Sequence, residues 1–138
     1  KLVVQLIFRL KSIDKIIITT DSNPLSGLED GSTVMFGGQE VRVEGNASLN
    51  QEGKLAGSHL TLADQVRNLV SWGLLSFADA IQLATQNPAT FFGVDNYLGT
   101  VESGKVADLV LWDKSDFGIK QVFLSGQSIL PVPVSTGL

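Results

Sequence analysis

The chain has 138 residues, 43% of them hydrophobic and 17% charged, a formal net charge of −4 and no cysteine. This length suits one ordinary domain with a core of its own, and the acidic balance argues against nucleic acid as a partner. The lack of cysteine excludes disulfides, thiolate metal sites and cysteine nucleophiles. No stretch approaches the roughly 18 to 20 apolar residues that span a bilayer, so we expect no membrane contact. Nothing in the sequence suggests secretion, and we expect a cytoplasmic location.

The first part of the chain predicts a helix, a strand and a loop. Apolar residues recur at helical spacing over about 1–12, and β-branched residues predict a buried strand over about 15–20. A turn-rich loop follows from Ser22 to Gly31, and Asp21 stands between strand and loop. An aspartate there commonly caps a turn, but α/β enzymes also place catalytic groups at the C-terminal ends of strands. The residues alone leave both interpretations open.

The middle of the chain predicts short strands and then two helices. Gly-rich turns and the alternating stretch "EVRVEG" predict a small β-hairpin at about 32–50. The first helix begins after Thr61, with Asp64 completing a weak capping box. Ser76 is the predicted N-cap of the second helix, which we expect to break at Asn87-Pro88.

The last part of the chain predicts two antiparallel strands, "VADLVLWD" and "IKQVFLSGQSIL". The predicted strand at about 15–20 is isolated, and one strand cannot satisfy its own edges, so sister strands must come from elsewhere. The first helix runs from residue 1 without a cap, and Met35 is the only methionine. We therefore expect the chain to be the C-terminal part of a longer polypeptide.

Few residues offer chemistry besides Asp21. The only histidine, His59, is expected to have a surface or loop role, because a zinc site normally needs three or four protein ligands. The Gly-Lys pair in "ESGK" lacks the rest of a phosphate-binding loop and predicts a turn. The stretch "GKLAGSHLTL", residues 53–62, could let backbone approach a ligand in front of a helix. A tight turn leading into a helix cap explains it equally well.

Four stretches of the chain carry a family resemblance. They read "KIIITTDS", "GNASLNQEGKLAGSHLTLADQVRNLV", "SFADAIQLATQNPATFFGV" and "LGTVESGKVADLVLWD…IKQVFLSGQ". In this order they resemble the C-terminal third of the N-acetylglucosamine-6-phosphate deacetylase family, within the amidohydrolase superfamily. The element "LGT-x-E-x-GK-x-ADLV" is common across amidohydrolases, whereas "AGS-x-LTL" followed by "VRNLV" is more specific to the deacetylases.

The resemblance implies an α/β fold, namely the C-terminal part of a metal-dependent (β/α)8 barrel together with strands of a small β-sandwich. Residues 1–105 would supply the last barrel strand and outer helices, with the β-hairpin at about 32–50 as an insertion. Residues 106–130 would be sandwich strands, and residues 131–138 would be a loose tail.

The resemblance also implies site residues. Asp21 matches the aspartate that ends the last barrel strand of the family, where it takes a proton from a water activated by zinc or iron and passes it to the departing amine. The chemistry is reasonable, because a metal lowers the pKa of bound water to roughly 7 and a nearby carboxylate can act as base and then acid. Leu55, Ala56 and Gly57 match the stretch that contacts the sugar substrate.

No metal ligand is expected within these 138 residues. The family's ligands are a glutamate and two histidines from earlier strands, and the groups that polarise the carbonyl and hold the phosphate also lie earlier. The resemblance thus implies N-acetylglucosamine 6-phosphate as substrate and the N-terminal portion of the same protein as a partner, within a homo-oligomer such as a homodimer. These residues alone are not expected to catalyse deacetylation.

Two alternatives remain open. Another amidohydrolase, such as a cyclic amidase or a deaminase, would share the fold and Asp21 but should lack "AGSHLTL". A non-catalytic assembly module would pair its apolar faces with another chain, and it would neither take up metal nor hydrolyse an amide.

Overall fold

The structure, a computed structural model, describes residues 1–45 and 47–129. The predicted tail at 131–138 lies outside the described residues. The chain divides into two compact units, one formed by Lys1–Ala84 and the other beginning at Thr85. The predicted boundary near residue 105, between barrel and sandwich portions, follows the resemblance and stays a prediction.

The first unit opens with helix α1, Leu2–Leu10, which confirms the predicted helix. Val4 and Phe8 pack against the core of this unit. Five other apolar side chains of the helix are exposed to solvent: Leu2, Val3, Leu6, Ile7 and Leu10. The helix therefore carries more apolar surface than this unit covers.

The strand predicted at about 15–20 does not form within the described part of the chain. A short 3₁₀-helix, Ile13–Lys15, occupies its start, and residues 16–20 belong to neither of the two sheets. The Ile18 N–H donates instead to the Leu83 carbonyl at 3.2 Å. β-Branched residues favour an extended backbone, but a strand also needs a partner to share its ladder, and none of the described strands lies beside this segment.

Strands β1 (Thr33–Phe36), β2 (Gln39–Glu44) and β3 (Ala47–Asn50) form an antiparallel sheet in that order. The predicted hairpin is thus a three-stranded meander. Its first turn is Gly37-Gly38, with φ of +60° and +80°, as a two-residue hairpin turn of the primed type requires. The alternation of β2 points its valines inward, and Val41, Val43 and Leu25 form a small buried core.

Helices α2 (Leu62–Ser71) and α3 (Phe77–Ala84) build the main core of the first unit. The predicted capping box is confirmed, since the Asp64 N–H donates to Thr61 Oγ1 at 3.2 Å and the Thr61 N–H donates to Asp64 Oδ2 at 2.9 Å. Ser76 caps α3 in a similar way, accepting the Asp79 N–H at 3.2 Å. The buried core residues of the two helices are Val66, Leu69, Ala80 and Leu83.

The second unit begins where the helix breaks, and the break precedes its predicted position. Helix α4 spans Gln86–Phe91 with Thr85 as N-cap, so Asn87-Pro88 lies in its first turn. Proline fits there because the first N–H groups of a helix have no partner within it, whereas in a continuous helix its ring would clash with the carbonyl four residues earlier. The interruption consequently falls at Thr85.

The rest of the second unit is a three-stranded antiparallel sheet made of β4 (Leu109–Trp112), β5 (Ile119–Leu124) and β6 (Gln127–Ile129). The predicted antiparallel pairing of the two terminal stretches is confirmed, and the second stretch folds back on itself at Ser125-Gly126. Over residues 1–45 and 47–129, no helix is both long and apolar enough to cross a membrane.

Candidate functional site

Asp21 follows the extended segment and has an unusual backbone conformation. Its φ is +48°, a left-handed value that costs most residues about 1–2 kcal/mol and that aspartate adopts more readily than most. The residue is exposed, and its carbonyl oxygen accepts the Ser58 N–H at 3.0 Å. The backbone of Asp21 is therefore held by a segment far along the chain while its carboxylate remains accessible.

A short parallel contact joins the two candidate segments. Ser22 and Ser58 form an isolated parallel bridge, completed by the Asn23 N–H, which donates to the Ser58 carbonyl at 2.9 Å. Asp21 and the predicted substrate-contacting stretch are thus neighbours in space. The sequence predicted each as a candidate, and the structure brings them together.

The stretch Leu55–Gly57 is held on both sides. The Ala56 N–H donates to the Ser48 carbonyl of β3 at 2.8 Å, and the Ala56 carbonyl accepts from Asn23 Nδ2 at 2.9 Å. The Leu55 side chain is 73% exposed, which leaves it available for contact with another molecule.

Gly57 approaches Asp21 closely. Its φ is +92°, and a Cβ added to it would lie 3.3 Å from the Asp21 carbonyl oxygen and 3.5 Å from Asn23 Nδ2. Both the positive φ and the close approach favour glycine here. Gly57, a small residue predicted to let the backbone approach a ligand, also lets its own backbone approach Asp21.

Sequence reasoning missed Asn23. Its side chain is buried, 6% exposed, and besides bonding to Ala56 its Oδ1 accepts the Leu25 N–H at 2.9 Å. The available signal was the Asn-Pro pair formed with Pro24, which favours turn initiation and side-chain-to-backbone bonding. That signal predicts the local turn and gives no hint of the contact with Ala56.

His59 is not at the surface, so this part of its prediction is wrong. Its side chain is 8% exposed, and its Nδ1 atom is buried with no hydrogen-bond partner among the described residues. The residue lies just before α2, and its carbonyl accepts the Gly27 N–H at 3.2 Å. Its position in the connection between loop and helix agrees with the loop role.

The described residues contain no group of three or more His, Cys, Asp or Glu side chains arranged to hold a metal ion. A zinc site normally takes three or four protein ligands, and Asp21 is a single carboxylate. The residues present therefore do not fit a metal by themselves.

Among the described residues, several groups in surface ion pairs have shifted pKa values. A hydrogen bond from Lys120, whose Nζ is 2.6 Å from Asp113 Oδ2, holds the pKa of Asp113 well below its usual range and raises that of Lys120. Hydrogen bonding to Thr100 likewise lowers the pKa of Glu102. These shifts concern local stability and lend no group a catalytic pKa.

Comparison with known proteins assigns the chain to a family. Residues 9–129 match the amidohydrolase family. Over 114 residues the chain is 35% identical to N-acetylgalactosamine-6-phosphate deacetylase of Escherichia coli O157:H7, covering 83% of this chain and 30% of that protein. It is 37% identical over 110 residues to N-acetylglucosamine-6-phosphate deacetylase of Bacillus subtilis, covering 80% of this chain and 28% of that protein.

Two solved structures of deacetylases are also similar to this chain. N-acetylglucosamine-6-phosphate deacetylase from Pasteurella multocida superposes with a TM-score of 0.82 at 28% identity, covering 91% of this chain and 32% of that one. The enzyme of the same name from Thermotoga maritima gives a TM-score of 0.79 at 29% identity, covering 91% of this chain and 34% of that one. The chain thus spans about a third of the length of these relatives, although it covers 67% of one matching protein from Escherichia coli K12.

Proposed function

The chain belongs to the amidohydrolase family, and on this premise we propose that the protein carrying it hydrolyses the acetamide of N-acetylglucosamine 6-phosphate. The products are glucosamine 6-phosphate and acetate, as amino-sugar catabolism requires. The observation that carries the proposal is the bridge between Ser22 and Ser58, which makes Asp21 a neighbour of Leu55–Gly57. The deacetylase names of the relatives point to the same reaction.

Asp21 is the proton carrier of the proposed reaction. Its exposed carboxylate accepts a proton from the attacking water while the water oxygen bonds to the carbonyl carbon. The carbon–nitrogen bond then breaks, and Asp21 returns the proton to the leaving nitrogen. One water is consumed and the carboxylate is regenerated. The products are acetate and the protonated amine, because the second proton of the water passes from the acetic acid to the amine.

Leu55, Ala56 and Gly57 are the proposed contacts to the sugar. The exposed Leu55 side chain and the side-chain-free backbone at Gly57 offer a surface that a ligand can approach closely. Their hydrogen bonds to β3 and Asn23 would keep that surface fixed relative to Asp21. A fixed surface supports the reaction because proton transfer needs the acetamide held within hydrogen-bond reach of the carboxylate.

Amidohydrolases are generally metal-dependent. Since the residues described here do not fit a metal by themselves, we propose that zinc or iron is held by ligands outside this chain, on the N-terminal portion of the same protein. The exposed apolar side chains of α1 support this partner, because they offer the N-terminal portion a surface to cover. We also propose that the whole protein has the (β/α)8 barrel and β-sandwich architecture, forms a homodimer and is located in the cytoplasm.

N-acetylgalactosamine 6-phosphate is a second candidate substrate. A relative named N-acetylgalactosamine-6-phosphate deacetylase is 35% identical to this chain, close to the 37% of one named N-acetylglucosamine-6-phosphate deacetylase. The two sugars differ only in the configuration of one hydroxyl group, at C4. The same acetamide chemistry at Asp21 would serve both, so the choice depends on contacts around that hydroxyl.

The test is acetate release by the protein expressed from its complete reading frame and loaded with zinc or iron. Both sugar phosphates are offered, and acetate is followed by proton NMR. Asp21→Asn should lower kcat by about 100- to 10,000-fold, the usual contribution of a general acid–base group.

Asp30→Asn is the matched control. Asp30 lies in the loop after Asp21, and its Oδ1 accepts the Gly45 N–H at 2.8 Å, a bond that asparagine also makes. This variant should keep kcat within about twofold, because it removes a charge without removing a proton carrier. Wild-type-like activity of Asp21→Asn would refute the role of Asp21, and no acetate from either sugar phosphate would refute the proposed function.

A further inference from the structure

Asn23 follows Asp21 by two residues and bonds to the other segment of the candidate site through both its backbone and its side chain. Its backbone N–H donates to the Ser58 carbonyl at 2.9 Å. Its side chain donates from Nδ2 to the Ala56 carbonyl at 2.9 Å and accepts the Leu25 N–H on Oδ1 at 2.9 Å. Because the side chain is only 6% exposed, water cannot readily replace these bonds.

The side-chain amide of Asn23 supplies a contact that the backbone ladder lacks. Hydrogen bonds of a parallel pair are evenly spaced, so in a continued ladder the Ala56 carbonyl would accept the Asp21 N–H. The φ of +48° turns Asp21 out of the extended conformation. The Ala56 carbonyl is bonded instead to the side chain of Asn23, which keeps the two segments together at the residue where the ladder stops.

We propose that Asn23 is a positioning residue, which fixes the distance between Asp21 and the backbone of Ala56 and Gly57. The assignment rests on the proposed function, in which Asp21 carries the proton and that backbone contacts the sugar. A misplacement of about 1 Å can cost about 100-fold in rate. Loosening this contact therefore lowers kcat, and it changes KM less because the rest of the substrate is held by other residues.

Asn23→Asp tests the proposal, because the isosteric carboxylate keeps an acceptor for the Leu25 N–H and loses the donor to the Ala56 carbonyl. Asn50→Asp is the matched control. Asn50 Oδ1 accepts the Glu52 and Lys54 N–H groups at 3.1 and 2.9 Å, and its Nδ2 donates to Gln39 Oε1 at 3.1 Å. Aspartate keeps the first two bonds, and the Gln39 amide can rotate to restore the third.

The enzyme from the complete reading frame is assayed with metal and the better of the two sugar phosphates. Asn23→Asp should lower kcat by about 10- to 100-fold with KM within about threefold, while Asn50→Asp keeps both. The ratio of the kcat of Asn23→Asp to that of wild type should rise as the pH falls from about 8 to about 5. The introduced carboxyl faces a carbonyl oxygen, which raises its pKa, and once protonated it can again donate to Ala56.

Amide hydrogen exchange gives a readout that does not depend on activity. The Ser58 N–H bonds to the Asp21 carbonyl at 3.0 Å. Because a buried group left without its partner weakens the local structure, this N–H should exchange about tenfold faster in Asn23→Asp than in wild type or Asn50→Asp. Should Asn23→Asp fail to fold, Asn23→Ser replaces it. The serine hydroxyl can accept the Leu25 N–H and is too short to reach Ala56.

The outcomes separate the two proposals. Equal kcat and equal Ser58 exchange in the Asn23 and Asn50 variants would overturn the role of Asn23 and leave the proposed function intact. A lower melting temperature with unchanged kcat in the folded enzyme would make Asn23 a stabilising residue only, which also overturns the assignment. A wild-type enzyme that releases no acetate would overturn the proposed function, and the role of Asn23 with it.

Discussion

Gly57→Ala probes the contact between the two candidate segments most directly. The glycine has a φ of +92°, and a Cβ there would lie 3.3 Å from the Asp21 carbonyl oxygen. A left-handed φ costs a residue with a Cβ about 1–2 kcal/mol. In addition, the Asp21 carbonyl must move by a few tenths of an ångström to admit the methyl group.

The size of the catalytic effect follows from that displacement. If about 1 Å of misplacement costs about 100-fold, a shift of about 0.3 Å costs about fourfold. Gly57→Ala should therefore lose about 1–2 kcal/mol of unfolding free energy and about fourfold in kcat. Urea unfolding measures the first quantity, and acetate release at saturating substrate measures the second.

Gly104→Ala separates strain from contact. Gly104 has the same φ of +92°, and nothing lies within 4 Å of its added Cβ. It should lose a similar unfolding free energy and keep kcat. An unchanged kcat in Gly57→Ala, or an equal loss of kcat in both variants, would refute the argument that the close approach of Gly57 to Asp21 matters for the reaction.

Two further predictions concern stability. Leu83 has 0% exposure in the main core, so Leu83→Ala should cost about 2–5 kcal/mol of unfolding free energy, measured in urea. Leu55 is 73% exposed, so Leu55→Ala should change the unfolding free energy little. Equal effects of the two variants would contradict the described core. Asp113→Asn tests the pair with Lys120: because the hydrogen bond from Lys120 lowers the pKa of Asp113 below 3.8, the pair stabilises the fold at neutral pH, and this contribution is lost as the pH falls through the lowered pKa. The variant should melt slightly below wild type near pH 7, where such exposed pairs contribute little, and the difference should vanish in strong acid; a difference that persists there would contradict it.

The local features of the fold could be predicted from the sequence because each depends on neighbouring residues. The capping box of Thr61 and Asp64 and the cap at Ser76 bond within three positions of the chain. The alternation of β2 likewise set which valines face inward. Even the misplaced break before Pro88 has a local cause, since the ring excludes helix continuity upstream and fits the first turn of α4.

The predicted strand at 15–20 illustrates what local patterns cannot decide. β-Branched residues set an extended preference, but a strand exists only when another strand supplies the hydrogen bonds. None of the described strands does so, and Ile18 bonds to the carbonyl of Leu83 at the end of α3. The burial of His59 was missed for a related reason, because exposure depends on which distant segments fold over a residue.

For the candidate site, the sequence by itself determined the chemical groups: a carboxylate at Asp21, and at Gly57 a glycine without a side chain to block close approach. Only the tertiary structure decided that they are neighbours and that Asn23 joins them. The physical reason is that a hydrogen bond between residues 33 positions apart, such as Asn23 to Ala56, depends on how the intervening meander folds back. Neither residue's own neighbours in the sequence carry that information.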